Sequence, residues 1–189
     1  MIQVAIGYLL EILIHKYRYG VGNFRRGINM TGCIIGSFRK YYNDIISAIQ
    51  LFEENGHKIL SPKSSRIERN EEGFVILSSD NPNYTHVDIQ TMVFHRAFQS
   101  DFVYVWDPGG YVGKTTCYEI GRLIERKVPL YYMEYPIDVP IYVPKGSVLS
   151  IENFISYIKY NKKLPPYLEE DNLITRELIK NLENNKFYY

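Results

Sequence analysis

The stretch SDFVYVWDPGGYVGKTTCYEIGRLIER, Ser100 to Arg126, decides the fold. Phe102-Val103-Tyr104-Val105-Trp106 is an unbroken aromatic and β-branched run, the composition of a strand buried on both faces. Asp107-Pro108-Gly109-Gly110 then supplies a preset φ and two permissive glycines, with Gly113 a third. Thr115 to Arg126 reads as a helix, with Cys117, Ile120 and Ile124 on one face and Arg122, Glu125 and Arg126 largely off it. Strand, glycine loop and helix in that order place backbone N–H groups and the positive end of a helix at the carboxyl edge of a sheet. Open α/β folds bind ligands at that edge. Glu119, an acid beside the positive helix end, is the unusual residue of the stretch.

Outward from there the chain alternates strand and helix. Gly32-Cys33-Ile34-Ile35, closed by Gly36-Ser37, reads as the first core strand. Asn43 to Asn55 carries Ile45, Ile46, Ala48, Ile49, Leu51 and Phe52 at helical spacing, and Gly56 supplies its stop. His57-Lys58-Ile59-Leu60 returns as a second strand, which makes a β-α-β unit with a right-handed parallel crossover. Residues 63–73 read as a polar surface loop, Phe74-Val75-Ile76-Leu77 as a third strand, and Val87 to Gln99 as a helix. After the central stretch, Val128 to Met133 is the fifth strand, and Val139 to Val143 offers a short edge strand limited by its prolines. Ile151 to Tyr160 is a helix, Pro165-Pro166 a linker, and Glu169 to Asn184 a charged helix. The expected fold is α/β: a flavodoxin-like or Rossmann-like three-layer sandwich around a mostly parallel five-stranded sheet. The expected division is an extension over 1–29, the α/β domain over 30–162 and a helical tail over 163–189.

The totals narrow the functional classes. A chain of 189 residues holds one full-sized core. A formal charge of +1 lacks the strongly basic face that nucleic acid demands, so no nucleic-acid partner is expected. The 18 tyrosines are spread from end to end rather than gathered as a stacking platform. Cys33 and Cys117 sit in apolar contexts without zinc or disulfide spacing, which suits buried thiols in a reducing cytoplasm. Val4 to Ile14 is apolar apart from Gly7 and Glu11 and too short to span a bilayer. Its basic residues follow it, the reverse of a secretory signal. It reads as a helical extension packing on the domain or on a second subunit, with Met30 as an alternative start. The expectation is a cytoplasmic protein with no membrane partner.

Two local patterns bear on chemistry. Gly113-Lys114-Thr115 resembles the end of a phosphate-binding P-loop, but that pattern needs a glycine where Pro108 stands. The loop's N–H groups still suit a phosphate or a sugar. Thr116 and Glu119 fit the capping box S/T-x-x-E, which would tie the acid to its own helix end. The functional alternative is a carboxylate kept ionised by the helix dipole, facing the glycine loop and free to attack an anomeric carbon. Pattern alone does not separate the two.

From His95 to Pro136 the sequence resembles the nucleoside 2-deoxyribosyltransferase family and the related 2′-deoxynucleoside 5′-monophosphate N-hydrolases. The matching pieces are His95, Ser100-Asp101 before an apolar strand, Gly110-Tyr111-Val112-Gly113, Glu119-Ile120-Gly121 and Val128-Pro129-Leu130-Tyr131. Gly36-Ser37-Phe38-Arg39 resembles the family's first-strand loop, and Gly56 to Pro62 its second strand. The resemblance spans roughly residues 31–150. It implies that Glu119 is a nucleophile forming a glycosyl ester at C1′. Asp101 matches a family acid, either giving the leaving base its proton or capping its strand. Ser37 and Arg39 match positions that hold the 5′ end, Arg39 as a bidentate phosphate partner or as a solvated charge. His95 is a candidate contact to base or sugar. Gly36, Phe38, Gly110, Tyr111, Gly113, Thr115 and Thr116 complete the expected binding loop. Gly113 stands where the transferases often carry an acid, which leaves transfer and hydrolysis both open.

The expected function is cleavage or transfer at the N-glycosidic bond of a (2′-deoxy)nucleoside or its 5′-monophosphate. No metal or redox cofactor is expected, and the resemblance implies a homo-oligomer. The alternatives are a nucleotide-binding sensor or effector module without turnover, and an NAD-cleaving glycosidase.

Overall fold

The computed structural model describes residues 29–71, 74–137 and 139–166. Residues 1–28 of the expected extension and the helix expected from Glu169 to Asn184 lie outside the described residues. In chain order the elements are β1 (Thr31–Gly36), α1 (Phe38–Glu54), β2 (Lys58–Ser61), β3 (Ile67–Glu71), β4 (Phe74–Leu77) and α2 (His86–Gln99). There follow β5 (Phe102–Trp106), a 3₁₀ turn (Pro108–Gly110), α3 (Lys114–Glu125), β6 (Leu130–Tyr132) and α4 (Ile151–Asn161).

β2, β1, β5 and β6, in that order, form one parallel sheet. β5 runs beside β1 in unbroken register from Gly32 opposite Phe102 to Gly36 opposite Trp106. Successive side chains of a strand point to opposite faces, and here both faces are covered. Ile34, Phe102, Tyr104 and Tyr131 pack under α1 and α4 against Ile45, Ile49, Phe52 and Phe154. Cys33, Ile35, Val103, Val105, Leu130 and Tyr132 face the other way, with Ala97 of α2 and Ile120 and Leu123 of α3. The result is a three-layer α/β sandwich of the expected flavodoxin-like kind.

The sheet has four strands rather than the expected five. Phe74 to Leu77 leaves it to pair antiparallel with Ile67 to Glu71, inside the segment expected as a surface loop. β3 reads Ile-Glu-Arg-Asn-Glu, so it carries almost no apolar alternation and is held by its ladder with β4. Val139 to Val143 adds no edge strand either. Val143 packs into the core beside β6, and a single parallel bridge from Val148 to Tyr132 follows it. Among the described residues, no helix is long and apolar enough to cross a membrane.

Helix ends follow their local chemistry. α2 starts on a full capping box, with Thr85 Oγ1 accepting from Asp88 N at 3.2 Å and Asp88 Oδ2 accepting from Thr85 N at 2.9 Å. α1 begins five residues before its expected start at Asn43, with Ser37 as N-cap and an irregular turn at Tyr41. Phe38 and Arg39, expected in a loop, therefore sit in a first helical turn.

Candidate functional site

The chain leaves β1 toward β2 on one side and returns to β5 on the other, so strand order reverses between β1 and β5. Ligands of open α/β sheets bind at the carboxyl end of such a switch point. A cavity of about 470 Å³ lies there, lined by the end of β1, the segment after β2, the β4 hairpin strand, α2 and the start of α3. Of the residues singled out in the sequence, Gly36, Ser37, Phe38, Arg39, Tyr111, Gly113, Thr115, Thr116 and Glu119 line it. The fold thus gathers two loops about 75 positions apart in the chain around one space.

Glu119 is 7 % exposed and lies in the second turn of α3. The capping box with Thr116 does not form. Gly113 is the N-cap, its carbonyl accepts from Cys117 N at 2.8 Å, and Thr116 is already inside the helix and buried. Glu119 is held instead from across the site, with Gln90 Nε2 of α2 donating to its Oε1 at 2.7 Å. Burial pushes the carboxyl up to about 7, against a smaller opposing effect from that hydrogen bond. A strongly raised carboxyl in a cavity wall marks Glu119 as a candidate functional residue.

The glycine loop is fixed from both sides. Tyr41 Oη of α1 donates to Pro108 O at 3.4 Å, and Lys40 Nζ lies 4.3 Å from the ring centre of Tyr111. On the other side the Gly110 carbonyl accepts from Ile137 N at 3.0 Å. Asp107, fully buried at the end of β5, accepts through Oδ1 from Met133 N at 3.0 Å and Glu134 N at 3.1 Å. Burial, more than the neighbouring Glu134, holds the Asp107 carboxyl up at about 7 against those two hydrogen bonds.

Three expected residues lie elsewhere. Asp101 is at the amino end of β5, the edge opposite the cavity, where its Oδ2 accepts from Thr31 N at 2.7 Å and Thr31 Oγ1 at 2.9 Å. That is the strand-capping alternative, and it removes Asp101 as a proton donor to a ligand in the cavity. His95 is exposed on α2, its Nε2 3.2 Å from Gln99 Nε2, and does not line the cavity. Gly110 is buried beneath the loop against residues 135–137 and shapes it without reaching the space.

Other lining residues escaped sequence reasoning: Lys63, Asp80, Gln90 and Arg96. Gln90 had a readable signal, a polar residue on the same helical face as Val93 and Ala97. With Arg39 and Lys114, the cavity wall holds four cationic side chains against Asp80 and Glu119, a balance that favours an anionic ligand. Cys33, its thiol pushed up to about 12 by burial, is inert as a nucleophile. Comparison of the chain with protein-family models, with curated proteins and with solved structures finds no match in any of the three.

Proposed function

We propose that the protein cleaves the N-glycosidic bond of a nucleoside or its 5′-monophosphate, with Glu119 as the nucleophile. The observation that carries this reading is a buried carboxylate, bonded across the site to Gln90, in the wall of a roughly 470 Å³ cavity at the sheet's switch point. That volume falls within the range of small-molecule sites, roughly 300–1,000 Å³. The motif resemblance to the nucleoside 2-deoxyribosyltransferases and N-hydrolases supports the same chemistry, and Arg39, Lys63 and Lys114 suit a 5′-phosphate.

In the proposed reaction a Glu119 oxygen bonds to C1′ as the C1′–N bond breaks, and the bonding pair leaves with the base. The base takes its proton from water, because Asp101 is at the far edge of the sheet. A second base or water then attacks C1′, loses its proton to solvent and releases the carboxylate as the C1′–O ester bond breaks. A carboxyl titrating near 7 is a stronger nucleophile than an ordinary one and is about half ionised in neutral solution. The two cysteines favour a reducing, cytoplasmic setting, and the resemblance favours a homo-oligomer.

The test is a panel of nucleosides, 5′-monophosphates and NAD, followed for free base by chromatography. Base release from a nucleoside or its monophosphate, lowered about a thousandfold or more in Glu119→Gln, supports the reading. Release from NAD alone reassigns the substrate. One observation favours a second reading, a nucleotide-binding module without turnover: the other cavity carboxylate, Asp80, is engaged by Leu77 N at 2.9 Å. Tight nucleotide binding without base release would select that module.

A further inference from the structure

Of the four cationic side chains in the cavity wall, Arg39, Lys63 and Lys114 are exposed, whereas Arg96 is half-buried. No hydrogen bond or ion pair reaches the Arg96 guanidinium among the described residues. Its nitrogens are nevertheless open to the cavity, because the buried unpaired side-chain atoms of the described residues belong to His57, Gln90, Trp106 and Asp107. A guanidinium carries five N–H donors in a rigid fork. One held half-buried in a cavity wall with none of them used points to acceptors on whatever the cavity holds.

The two cavity helices place that fork. α2 ends just before β5 starts at the amino edge of the sheet, and α3 starts just after β5 ends, so both run from the carboxyl edge to the amino edge. The bond from Gln90 to Glu119 sets them level. At about 1.5 Å per residue, Lys114 begins roughly 7.5 Å above Glu119 and Arg96 is anchored roughly 9 Å below Gln90. Helical side chains lean toward their N-terminus, which brings the guanidinium back toward the level of Glu119. Both charges are felt at the buried Cys33 thiol of β1, yet the two do not pair. Across the sheet, α3 packs over β1 and β6 and α2 over β1 and β2, so the side facing away from Glu119 is the side of α2.

A displaced base leaves on the side away from its nucleophile. With the 5′-phosphate at Lys114 and C1′ at Glu119, the base comes to Arg96. We propose that Arg96 grips the departing base by its acceptor edge and that this base is a 6-oxopurine. The inference rests on Glu119 being the group that attacks C1′. A 6-oxopurine presents two adjacent acceptors, O6 and N7, which match the guanidinium fork. Adenine sets an amino donor beside N7, and the pyrimidines present no such pair of acceptors on that edge. As the C1′–N9 bond breaks, its electron pair stays on the base, spread over N9 and N7. Arg96 meets that charge at N7 and keeps its own proton, and N9 then takes a proton from water. This supplies leaving-group stabilisation in a site where Asp101 is at the far edge and Asp80 accepts from Leu77 N.

The test compares 2′-deoxyinosine 5′-monophosphate with 2′-deoxyadenosine 5′-monophosphate, which differ at O6 and N1 of the base. Binding is measured by calorimetry on full-length Glu119→Gln, so that bound nucleotide is not cut. The hypoxanthine nucleotide is expected to bind at least about tenfold more tightly, and Arg96→Met in the same background to lose that preference. With Glu119 intact, Arg96→Met is expected to lower kcat for hypoxanthine release about a hundredfold. The rate on the 7-deaza analogue, already low in the native protein, should then fall much less.

Equal binding of the two nucleotides, or a preference that survives in Arg96→Met, overturns the proposal. So does a uniform weakening of both, which would make Arg96 a phosphate contact. If Arg96→Met does not fold, Arg96→Lys carries the test: it keeps the charge and loses the fork, so both nucleotides should bind with the preference reduced. An undiminished preference in Arg96→Lys overturns the fork. Failure of either nucleotide to bind counts against the proposed function as a whole. The predicted preference without base release counts against the glycosidic reaction alone and leaves Arg96 as the base-recognition residue.

Discussion

At the scale of one residue, burial in the cavity wall sets the behaviour of Glu119, and one hydrogen bond from Gln90 opposes it. Its carboxyl titrates at about 7 because burial outweighs the single bond from Gln90. The active form is the ionised one, so kcat/KM for base release should climb with pH and level off above an apparent midpoint near 7. A profile flat from pH 5 to 8 would show that another group limits the reaction. The same shift has a sign for stability. A carboxyl raised from 4.5 to about 7 holds its proton longer in the folded state. The folded state is therefore penalised as pH rises through that window and stays penalised above it. Glu119→Gln removes the penalty, so it should stabilise the protein at pH 8 by up to roughly 3 kcal/mol. That gain, read from urea unfolding, should shrink as pH falls toward 4.5. A variant less stable than the native protein at pH 8 would mean that the ionised carboxylate is structural.

At the scale of the element, the glycine loop shows what each of its residues is for. Gly109 and Gly110 both have positive φ, +68° and +69°. A Cβ on Gly109 meets nothing within 4 Å, whereas one on Gly110 would lie 2.4 Å from the Tyr135 carbonyl. Gly109→Ala should cost about 1 kcal/mol from left-handed backbone alone. Gly110→Ala should cost clearly more and disturb the segment at residues 135–137. Equal midpoints for the two in denaturant unfolding would contradict that division. The loop itself was legible, because Asp-Pro-Gly-Gly after a buried strand has few other uses. The helix start was legible to within one residue, Thr115 for Lys114, but the capping alternative does not hold. Thr116 and Glu119 satisfy a four-residue pattern, but the helix already begins at Gly113, and the acid's partner lies 29 residues away. A local motif carries no information about a contact made by another helix.

At the scale of the molecule, the aromatic residues that look scattered in the chain converge. Phe154 of α4 lies 4.9 Å from Phe102, 4.6 Å from Tyr131 and 5.9 Å from Phe52, ring centre to ring centre. These edge and tilted contacts join α1, α4 and two sheet strands into one core. Phe154→Ala should cost about 3–5 kcal/mol and lower Tm without changing the Glu119 titration. A shift of that titration would show that the core and the site are one cooperative unit. Four strands of the layered fold were legible because buried parallel strands read as apolar runs. The β3–β4 hairpin was not, because Ile67 to Glu71 is almost wholly polar and its pairing is written only in the ladder. The cavity followed the same rule. Its strand-end glycines and Glu119 stood out, while Lys63, Asp80 and Arg96 reach it only through tertiary placement.

The most direct test of the central claim is mass spectrometry of the peptide carrying Glu119, acid-quenched during reaction with a nucleoside or its monophosphate. The account predicts a pentosyl group esterified to Glu119 and no such adduct in Glu119→Gln. Base release at full rate in Glu119→Gln, with the native peptide unmodified throughout, would contradict it.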